Sequence, residues 1–402
     1  MSRKQEIIVF DIGSSKIAAA IGSFDSEGNI TVQNKFDVQS DGIRSSLVTD
    51  LSQAEESVIN LVLLMEKSSK ALFKEASISV CASNVRSSYV SARVRISGGH
   101  VTNQDMQKLV YKALDDFNIS GQEVIHYFPI DFTLDNSIGI ANPVGLIGQD
   151  LSCNLHILSV DGGILTNLMN CLGRCQIKVQ KIILSVYAAG LANFSIEDRK
   201  NGAMIVDFGA KATSFGILQD EKLMYCGSVP IGSWYITSDI AKAFSISIDS
   251  AEKLKILYGS SKILENANLI HLKDIDSSEF TENQVISTRD LSSIINARVE
   301  EIFTLLKAEY NKLKVDDLIT NNLILTGGGS SLNNIAETVG DIFAKVIKTG
   351  DTASDNQENK YDVAVGMLKY LSKTHQDKLQ LGGNIQNQSG IGKLWSWFKD
   401  NI

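Results

Sequence analysis

The sequence predicts an α/β protein built from two similar halves that enclose a cleft. The first observation is residues 7–22, in which a short apolar run ends in an Asp-x-Gly turn at Asp11 and a second apolar run follows. The second is that this pattern recurs in residues 204–218, with its turn at Asp207. Short apolar runs bounded by turn residues are typical of strands. Each segment is therefore predicted to form a strand, a tight turn and a second strand, and the recurrence predicts a duplicated domain.

A third segment joins an apolar strand, residues 323–326, to three consecutive glycines at 327–329. The apolar residues that follow, within 332–343, recur at helical spacing. Glycines in a row cost backbone entropy on folding, and a close approach of the backbone to a ligand phosphate or ribose at a helix N-terminus commonly explains them. A plain strand-to-helix turn is the alternative for this segment taken alone.

Two Asp-x-Gly turns that face each other suit a nucleoside triphosphate with a magnesium ion. Small residues let backbone N–H groups approach phosphates, and turn amides form anion-binding concavities. Magnesium keeps most of its waters and needs only one or two carboxylates, which Asp11 and Asp207 supply. Lys16, in the first loop, is placed to neutralise phosphate charge. A hairpin with a structural Asp is the alternative for either loop alone.

The remaining residues alternate between strand and helix patterns. Strands are predicted at 76–81, 89–96, 123–134 and 151–160, and helices at 103–117, 165–174, 182–194, 238–244, 249–258 and 294–313. Residues 262–290 are predicted to be irregular with short strands.

Composition narrows the class of protein. The chain has 402 residues, of which 44% are hydrophobic, and 38 basic against 46 acidic residues give a net charge of -8. This balance is that of a globular protein, and the negative charge argues against a nucleic-acid binder. The start of the chain lacks the apolar core of a signal peptide. Its five cysteines show no pairing pattern, which fits a reducing compartment. We therefore expect a cytoplasmic protein. None of the scattered histidines is assigned a catalytic role.

The last residues differ from the rest. Residues 372–388 are polar and predict a flexible linker. In the segment after it, five apolar side chains fall within an arc of about 100° on a helical wheel, namely Ile391, Leu394, Trp395, Phe398 and Ile402, with Trp397 on one flank. Such a helix is expected to lie in the plane of a membrane surface, and the four Lys against two Asp of residues 372–402 suit anionic lipid. A helix docked on the body of the protein is the alternative.

The order of Asp-x-Gly-Ser-x-Lys, a second Asp-x-Gly and Thr-Gly-Gly-Gly resembles the actin/Hsp70/sugar-kinase superfamily. Within it the chain resembles the FtsA family of bacterial cell-division proteins. The segments that carry this resemblance are His126-Tyr-Phe-Pro129, Gly139-Ile-Ala-Asn142-Pro143, Leu155-His156-Ile-Leu158, Thr237-Ser-Asp-Ile-Ala241, Asp362-Val-Ala-Val-Gly366 and the amphipathic end.

The resemblance implies an actin-like, ribonuclease H-like duplicated fold with four subdomains around a nucleotide cleft. The expected division of the chain is 1–81 with 161–195 for subdomain 1A, 82–160 for the family-specific insert 1C, 196–240 with 314–371 for 2A, 241–313 for 2B, 372–388 for the linker and 389–402 for the membrane-targeting helix.

The resemblance also implies roles for single residues, and no catalytic residue among them. Asp11 and Asp207 would organise Mg²⁺ through water. The phosphates of ATP would be held from one side by Gly13, Ser14, Ser15 and Lys16 and from the other by Gly209, Ala210 and Lys211. The adenosine would lie against Gly327, Gly328 and Gly329. Its ribose and adenine would be contacted by Glu252 and Lys255. An ordinary ion pair at i, i+3 is the alternative for Glu252 and Lys255. The membrane contacts would be Ile391, Leu394, Trp395, Trp397 and Phe398.

The second loop departs from the family pattern Asp-x-Gly-x-Gly-Thr. Lys211 stands where glycine is expected and Ala212 where threonine is expected. Lys211 has two interpretations, one in which it pairs with a phosphate and one in which it points to solvent. Because positioning a water for attack tolerates little displacement, we expect slow hydrolysis or none.

The function implied by the resemblance is that of a nucleotide-governed scaffold, at most a weak ATPase. It would tether FtsZ to the cytoplasmic face of the inner membrane at the division site, self-associate and recruit later division proteins, with the 262–313 region receiving the FtsZ C-terminal peptide. The alternatives are a sugar kinase of the same fold and an actin-like scaffold of another envelope machine, such as a pilus-assembly platform.

Overall fold

The computed structural model describes residues 6–25, 29–117, 119–281, 283–313, 322–349 and 359–380. The elements of the first half are β1 (Glu6–Ile12), β2 (Lys16–Phe24), β3 (Ile30–Gln39), β4 (Ile43–Arg44), β5 (Leu47–Val48), α1 (Leu51–Ser69), β6 (Glu75–Val80), β7 (Val85–Arg95), α2 (Asn103–Asp116), β8 (Gln122–Leu134), β9 (Ser137–Ile140), β10 (Asp150–Asp161), α3 (Gly162–Arg174), β11 (Lys178–Leu184), α4 (Ser185–Asn193) and α5 (Ile196–Asn201). Those of the second half are β12 (Ala203–Phe208), β13 (Thr213–Gln219), β14 (Lys222–Val229), α6 (Ser233–Phe244), α7 (Ile248–Tyr258), β15 (Leu269–His271), β16 (Val285–Ser287), α8 (Thr288–Asn311), β17 (Leu323–Thr326), α9 (Ile335–Phe343), β18 (Ile347–Thr349) and α10 (Asp362–Gln380).

The first large sheet has the strand order β11-β6-β1-β2-β3. Strands β1 and β2 form an antiparallel hairpin, and β6 and β11 are added in parallel. Successive side chains of a strand point to opposite faces. Phe10 accordingly packs with α1 and α3 on one face, whereas Val9 packs with α4 and α10 on the other. Both faces are covered, which explains why β2 is apolar at nearly every position.

The second large sheet repeats this arrangement in the order β14-β13-β12-β17-β18. Its hairpin, β12 and β13, pairs Asp207 with Ser214, as β1 and β2 pair Asp11 with Ala18. Helix α8 packs beneath this sheet through a stripe of buried apolar side chains at helical spacing, and the Phe303 ring meets Phe208 edge-on with 5.1 Å between the ring centres. The predicted duplication is therefore present in the backbone itself.

The insert is a separate layer with its own core, made of the sheet β7-β10-β8-β9 and helix α2. Helix α2 begins at a capping box in which Thr102 and Asp105 bond each other's backbone N–H groups. The insert also touches the second half, because Tyr89 donates to the carbonyl of Met224 (2.7 Å) and the buried His156 ring lies 2.8 Å from the Leu223 carbonyl. Burial lowers the pKa of His156 to about 4, so this contact is uncharged at neutral pH.

Three expectations change. Residues 182–184 complete strand β11 and are not helical, so α4 begins only at Ser185. Helix α10 extends to Gln380, so residues 372–380 of the predicted linker are helical. The same helix lies against α4 and the first sheet, although residues up to 371 are expected in subdomain 2A.

The other subdomain boundaries stay predictions, and the predicted membrane helix at 389–402 lies outside the described residues. Within the described part of the chain, no helix has the length and hydropathy needed to cross a membrane.

Candidate functional site

A cleft of about 500 Å³ lies where the two hairpins face each other. It is lined by all fourteen residues predicted for nucleotide and metal, which are Asp11, Gly13, Ser14, Ser15, Lys16, Asp207, Gly209, Ala210, Lys211, Glu252, Lys255, Gly327, Gly328 and Gly329. They come from four separate segments of the chain, so the tertiary fold has gathered them into one site.

The two turns have the same closing bond. The N–H of Gly13 donates to the carbonyl of Lys16 at 3.1 Å, and the N–H of Gly209 donates to that of Ala212 at 3.1 Å. A side chain at Gly13 would place its Cβ 2.8 Å from the Lys16 carbonyl oxygen, so glycine is needed for the turn to close. The Asp-x-Gly pattern is thus explained by backbone geometry as well as by ligand chemistry.

Asp11 is held in place by a serine that the sequence analysis did not identify. The Ser79 hydroxyl donates to Asp11 Oδ1 at 2.7 Å and accepts the N–H of Ile12 at 2.9 Å. Burial raises the pKa of Asp11, and this hydrogen bond partly opposes the rise. Because Ser79 lies on the neighbouring parallel strand β6, only the pairing of β1 with β6 brings it to Asp11.

The environment of the Asp207 carboxylate is less favourable to its charged form than that of Asp11. Burial, together with the charges of Asp11 and Asp362, raises its pKa to about 7. Among the described residues, no hydrogen-bond donor to its carboxylate is found, and no cluster of three or more Asp, Glu, His or Cys side chains is arranged to hold a metal ion. A buried carboxylate without a donor, near two further carboxylates, fits a Mg²⁺ that is bound through water and phosphate instead of an all-protein cage.

Lys16 is half-buried at the base of the first turn. Its Nζ donates to the carbonyl of Lys360 at 2.7 Å. Burial lowers its pKa to about 8, although Asp11 and Asp37 favour its charged form. Among the described residues no carboxylate forms an ion pair with Lys16, so its charge is available to a phosphate.

Lys211 lies against an aromatic ring at the cleft. Its Nζ lies over the face of the Trp234 ring, with Tyr235 at 5.8 Å, in a cation–π arrangement at the mouth of the cleft. The interpretation in which it points freely to solvent is therefore wrong. The pairing with a phosphate stays a prediction, because the side chain would have to leave the indole face to make it.

The three glycines have different reasons to be glycine. A Cβ on Gly327, where φ is +86°, would lie 2.4 Å from Asp207 Oδ1, and one on Gly329 would lie 2.4 Å from the Phe208 ring. Both positions are thus needed for β17 to pack against the second hairpin. Nothing lies within 4 Å of a Cβ on Gly328, so its backbone is the one that faces open space in the cleft. The predicted close approach to a ligand applies best to Gly328.

Glu252 and Lys255 form the ion pair considered as an alternative, and they also line the cleft. Lys255 Nζ lies 2.7 Å from Glu252 Oε2 and 2.8 Å from the hydroxyl of Thr237, and that hydroxyl donates to the same carboxylate oxygen at 2.5 Å. Helices α6 and α7 are joined by this network. The Glu252 side chain is 43% exposed, so its second oxygen is available to a ligand hydroxyl.

Asp362 is a buried cleft residue that the sequence analysis placed only in a family motif. The Thr326 hydroxyl donates to its Oδ2 at 2.5 Å, and the Asn193 amide donates to the same atom at 3.0 Å. One carboxylate thus joins β17, α4 and α10 at the floor of the cleft. No local pattern in the sequence signals this role, because the three partners are far apart along the chain.

The fold has known counterparts. The chain superposes on the PilM–PilN type IV pilus biogenesis complex with a TM-score of 0.65 at 13% identity, covering 91% of this chain and 98% of that one. It superposes on MreB5 of Spiroplasma citri bound to ADP with a TM-score of 0.54 at 14% identity, covering 94% and 99%. The duplicated sheets, the paired hairpins and these likenesses define an actin-like fold.

Sequence comparison identifies the family within this class. A family model described as cell division protein FtsA matches residues 204–366, and one described as the SHS2 domain inserted in FtsA matches residues 82–159. The FtsA proteins of Rhizobium meliloti and Neisseria meningitidis are 24% and 25% identical to the chain, over 100% and 99% of it and over 96% and 98% of their own lengths. The chain belongs to the FtsA family of cell division proteins.

Proposed function

We propose that the chain binds ATP with Mg²⁺ in the cleft and acts as a nucleotide-governed scaffold of cell division. The observation that carries this proposal is that two equivalent Asp-x-Gly hairpins and the open Gly328 backbone face one cavity. A structure of MreB5, which shares the fold, holds ADP, and another holds AMPPNP. The chain's own groups would bind and orient the phosphates through loop N–H groups and Lys16, and Asp11 and Asp207 would hold the waters of the ion.

Calorimetric titration with ATP, in Mg²⁺ and in EDTA, tests the binding proposal. We expect measurable affinity in Mg²⁺ and weaker affinity in EDTA, because the ion links two carboxylates to the phosphates. No heat of binding from a protein that melts cooperatively would contradict the proposal.

The scaffold is proposed to attach to the inner face of the membrane through residues 389–402. The proposal rests on the sequence pattern, in which Leu394, Trp395 and Phe398 share one face. A single amphipathic helix of this length binds membranes weakly and reversibly. Self-association of the scaffold would convert weak binding into firm attachment, because neighbouring tails share one surface.

Sedimentation with vesicles that contain anionic lipid tests the attachment. Truncation after Gly390 is expected to leave a folded, nucleotide-binding protein that no longer pellets with vesicles. Trp395→Glu is expected to act similarly because it puts a charge inside the apolar arc, whereas Ser396→Glu, on the polar side, is the matched control. A truncated chain that pellets as well as the full chain would favour the docked-helix alternative.

The small hairpin β15–β16 is proposed as part of the surface that receives FtsZ. Ile270 and Ile286 face inward, while Leu269 (64% exposed) and Val285 (42% exposed) present apolar surface outward. Arg298, on α8, does not belong to a free surface, because its Nε binds Asp239 Oδ2 at 2.5 Å and its Nη1 binds Glu301. Outward apolar side chains are therefore better probes of this surface than charge swaps at Arg298.

Pull-down with purified FtsZ tests this surface. We expect Leu269→Glu with Val285→Glu to reduce FtsZ capture at least tenfold, and Leu72→Glu, at a still more exposed leucine of the first half, to leave it unchanged. Equal capture by all three proteins would place the FtsZ site elsewhere.

A pilus-assembly scaffold is a second candidate, because the superposition on the PilM–PilN complex has a TM-score of 0.65. Failure of the wild-type chain to capture FtsZ, together with capture of a pilus inner-membrane protein, would favour it. Recruitment of later division proteins and self-association are parts of the first proposal that the same pull-down, extended to these partners, would test.

A further inference from the structure

Two cations from opposite halves of the molecule approach each other at the mouth of the cleft. Arg44 ends strand β4 in the first half, and Lys211 is in the turn of the second hairpin. Both cations reach Tyr235, because Arg44 Nη2 lies 2.8 Å from its hydroxyl and Lys211 Nζ lies 5.8 Å from the centre of its ring. The charge of Arg44 also adds to the burial that lowers the pKa of Lys211 to about 8.

Both cations have neutral partners. Arg44 Nη2 donates to the hydroxyl of Tyr235 at 2.8 Å, and Lys211 lies over the ring of Trp234. In the part of the chain that the structure describes, neither side chain has an ion pair with a carboxylate. Two like charges held together without a counterion are unfavourable, and an anion placed between them would relieve the repulsion.

The turn that carries Arg44 is fastened to the first hairpin. The N–H of Ser45 donates to Ser14 Oγ at 2.6 Å, and Ser46 Oγ accepts the N–H of Cys81 at 2.9 Å. Ser45 and Ser46 have φ values of 48° and 66°, the left-handed region that serine rarely occupies. Positive φ at both central residues is the geometry of a two-residue hairpin turn, here between β4 and β5, and the bonds to Ser14 and Cys81 hold this turn and Arg44 beside the first hairpin.

The location of this turn limits which anion the two cations would meet. Ser45 lines the cleft beside Ser14 and Ser15, and Lys211 lines it from the other side. Lys211 belongs to the second phosphate loop, and Arg44 precedes Ser45, which is bonded to the first loop, so a phosphate held between the two loops would be within reach of both cations.

We propose that Arg44 and Lys211 together bind the outermost phosphate of a nucleoside triphosphate, and that this pair makes the cleft prefer a triphosphate to a diphosphate. The inference rests on the proposed nucleotide function of the same cleft. On binding, Arg44 exchanges the Tyr235 hydroxyl for phosphate oxygens, for which its planar fork of donors is suited. Lys211 leaves the indole ring at the same time. The terminal phosphate thereby joins the first half of the molecule to the second.

Calorimetry with Mg²⁺–AMPPNP and Mg²⁺–ADP on the full-length chain tests the proposal. We expect Arg44→Gln to weaken AMPPNP binding about tenfold and to leave ADP binding within twofold. Arg289→Gln, an exposed arginine at the start of α8, is the matched control and should change neither. Equal loss of both nucleotides, or no loss of either, would overturn the proposal.

A wild-type chain that binds neither nucleotide would instead contradict the proposed function itself.

Tyr235→Phe separates phosphate binding from a purely structural contact. It removes the resting partner of Arg44, so we expect equal or tighter AMPPNP binding. If Tyr235→Phe weakens AMPPNP as much as Arg44→Gln does, the Arg44–Tyr235 bond is structural and the proposal is wrong.

Tryptophan fluorescence supplies an independent measurement. The chain has three tryptophans, so Trp395→Phe with Trp397→Phe leaves Trp234 as the single reporter. We expect AMPPNP to change the emission of Trp234 more than ADP does, because only the triphosphate withdraws Lys211 from the ring. The same change with both nucleotides would count against a role of Lys211 at the outermost phosphate.

Discussion

The two hairpins that face the cleft have the same backbone turn and different surroundings. Asp11 accepts a hydrogen bond from Ser79, whereas no donor to Asp207 is found in the described part of the chain, and its pKa is raised to about 7. Lys16 is half-buried and donates to the carbonyl of Lys360, whereas Lys211 lies on an indole ring at the cleft mouth. The two hairpins thus share the same turn. Contacts from other elements hold Asp11 and Lys16 in place at the first hairpin, whereas Asp207 and Lys211 of the second hairpin are less constrained.

Loss of the second carboxylate is expected to have the largest effect. Asp207→Ala removes a partner of the Mg²⁺ waters, and the loss of such outer contacts typically costs about 10–100-fold in metal affinity. Titration of Mg²⁺–ATP into the variant measures this loss, and the same titration in EDTA is the control. Equal affinity of wild type and variant in Mg²⁺ would remove Asp207 from the metal site.

Matched substitutions of the two lysines compare the hairpins directly. We expect Lys16→Met to weaken ATP binding about tenfold, the effect of losing a buried charge-assisted bond of about 1.4 kcal/mol. Lys211→Met is expected to cost only about threefold, since Lys211 gives up its contact with Trp234 in order to bind. Calorimetry on both variants decides the order, and a larger loss at Lys211 would reverse the comparison.

Without nucleotide and metal, Asp207→Asn is expected to stabilise the fold by about 1 kcal/mol at pH 8. The native pKa of Asp207, about 7, lies above that of an unfolded Asp, so the native state binds more protons than the unfolded state between about pH 4 and 7. The free energy of unfolding of the wild type therefore falls as pH rises through this window. Because the amide of Asn does not titrate, the stability gained by Asp207→Asn increases as the pH rises.

Denaturant unfolding in EDTA at pH 6 and pH 8 measures this difference. Asp11→Asn is the comparison, and we expect a smaller gain from it because the Ser79 hydroxyl donates to the Asp11 carboxylate and partly offsets the cost of its burial. If Asp207→Asn is less stable than the wild type at pH 8, the charge of Asp207 does not destabilise the fold in the absence of ligand.

The smallest expected effect concerns hydrolysis. We expect slow or undetectable phosphate release by the wild type and a severalfold increase from Lys211→Gly with Ala212→Thr, which supply the small residue and the hydroxyl of the usual family pattern. Because Ala212 is only 7% exposed, Lys211→Gly with Ala212→Val is the control of equal size without a hydroxyl. Phosphate release by the wild type at about 1 per second would show that Lys211 and Ala212, in place of the usual glycine and threonine, do not impair hydrolysis.

Several parts of the site could be predicted from the sequence because they are local. An apolar run, an Asp-x-Gly turn and a second apolar run determine a hairpin by backbone sterics and side-chain alternation alone, and both hairpins are where they were expected. The face of α8 was equally predictable from spacing, since its seven buried apolar residues recur at helical intervals.

Other parts depended on residues that are distant in sequence. The Lys360 carbonyl that holds Lys16 is 344 residues away, and Ser79 reaches Asp11 only through the parallel pairing of β1 with β6. The sequence also could not distinguish Gly328, which faces the cleft, from Gly327 and Gly329, which are required by the packing of β17 on the second hairpin.

The sequence by itself therefore determined the two turns, the strands that enter and leave them, and the residue types that face a phosphate. The tertiary structure alone decided which donors, carboxylates and rings surround each turn, because such contacts follow from how separate elements pack. Lys211 shows the difference most clearly, since its position in the second turn was readable from the sequence and its place on Trp234 was not.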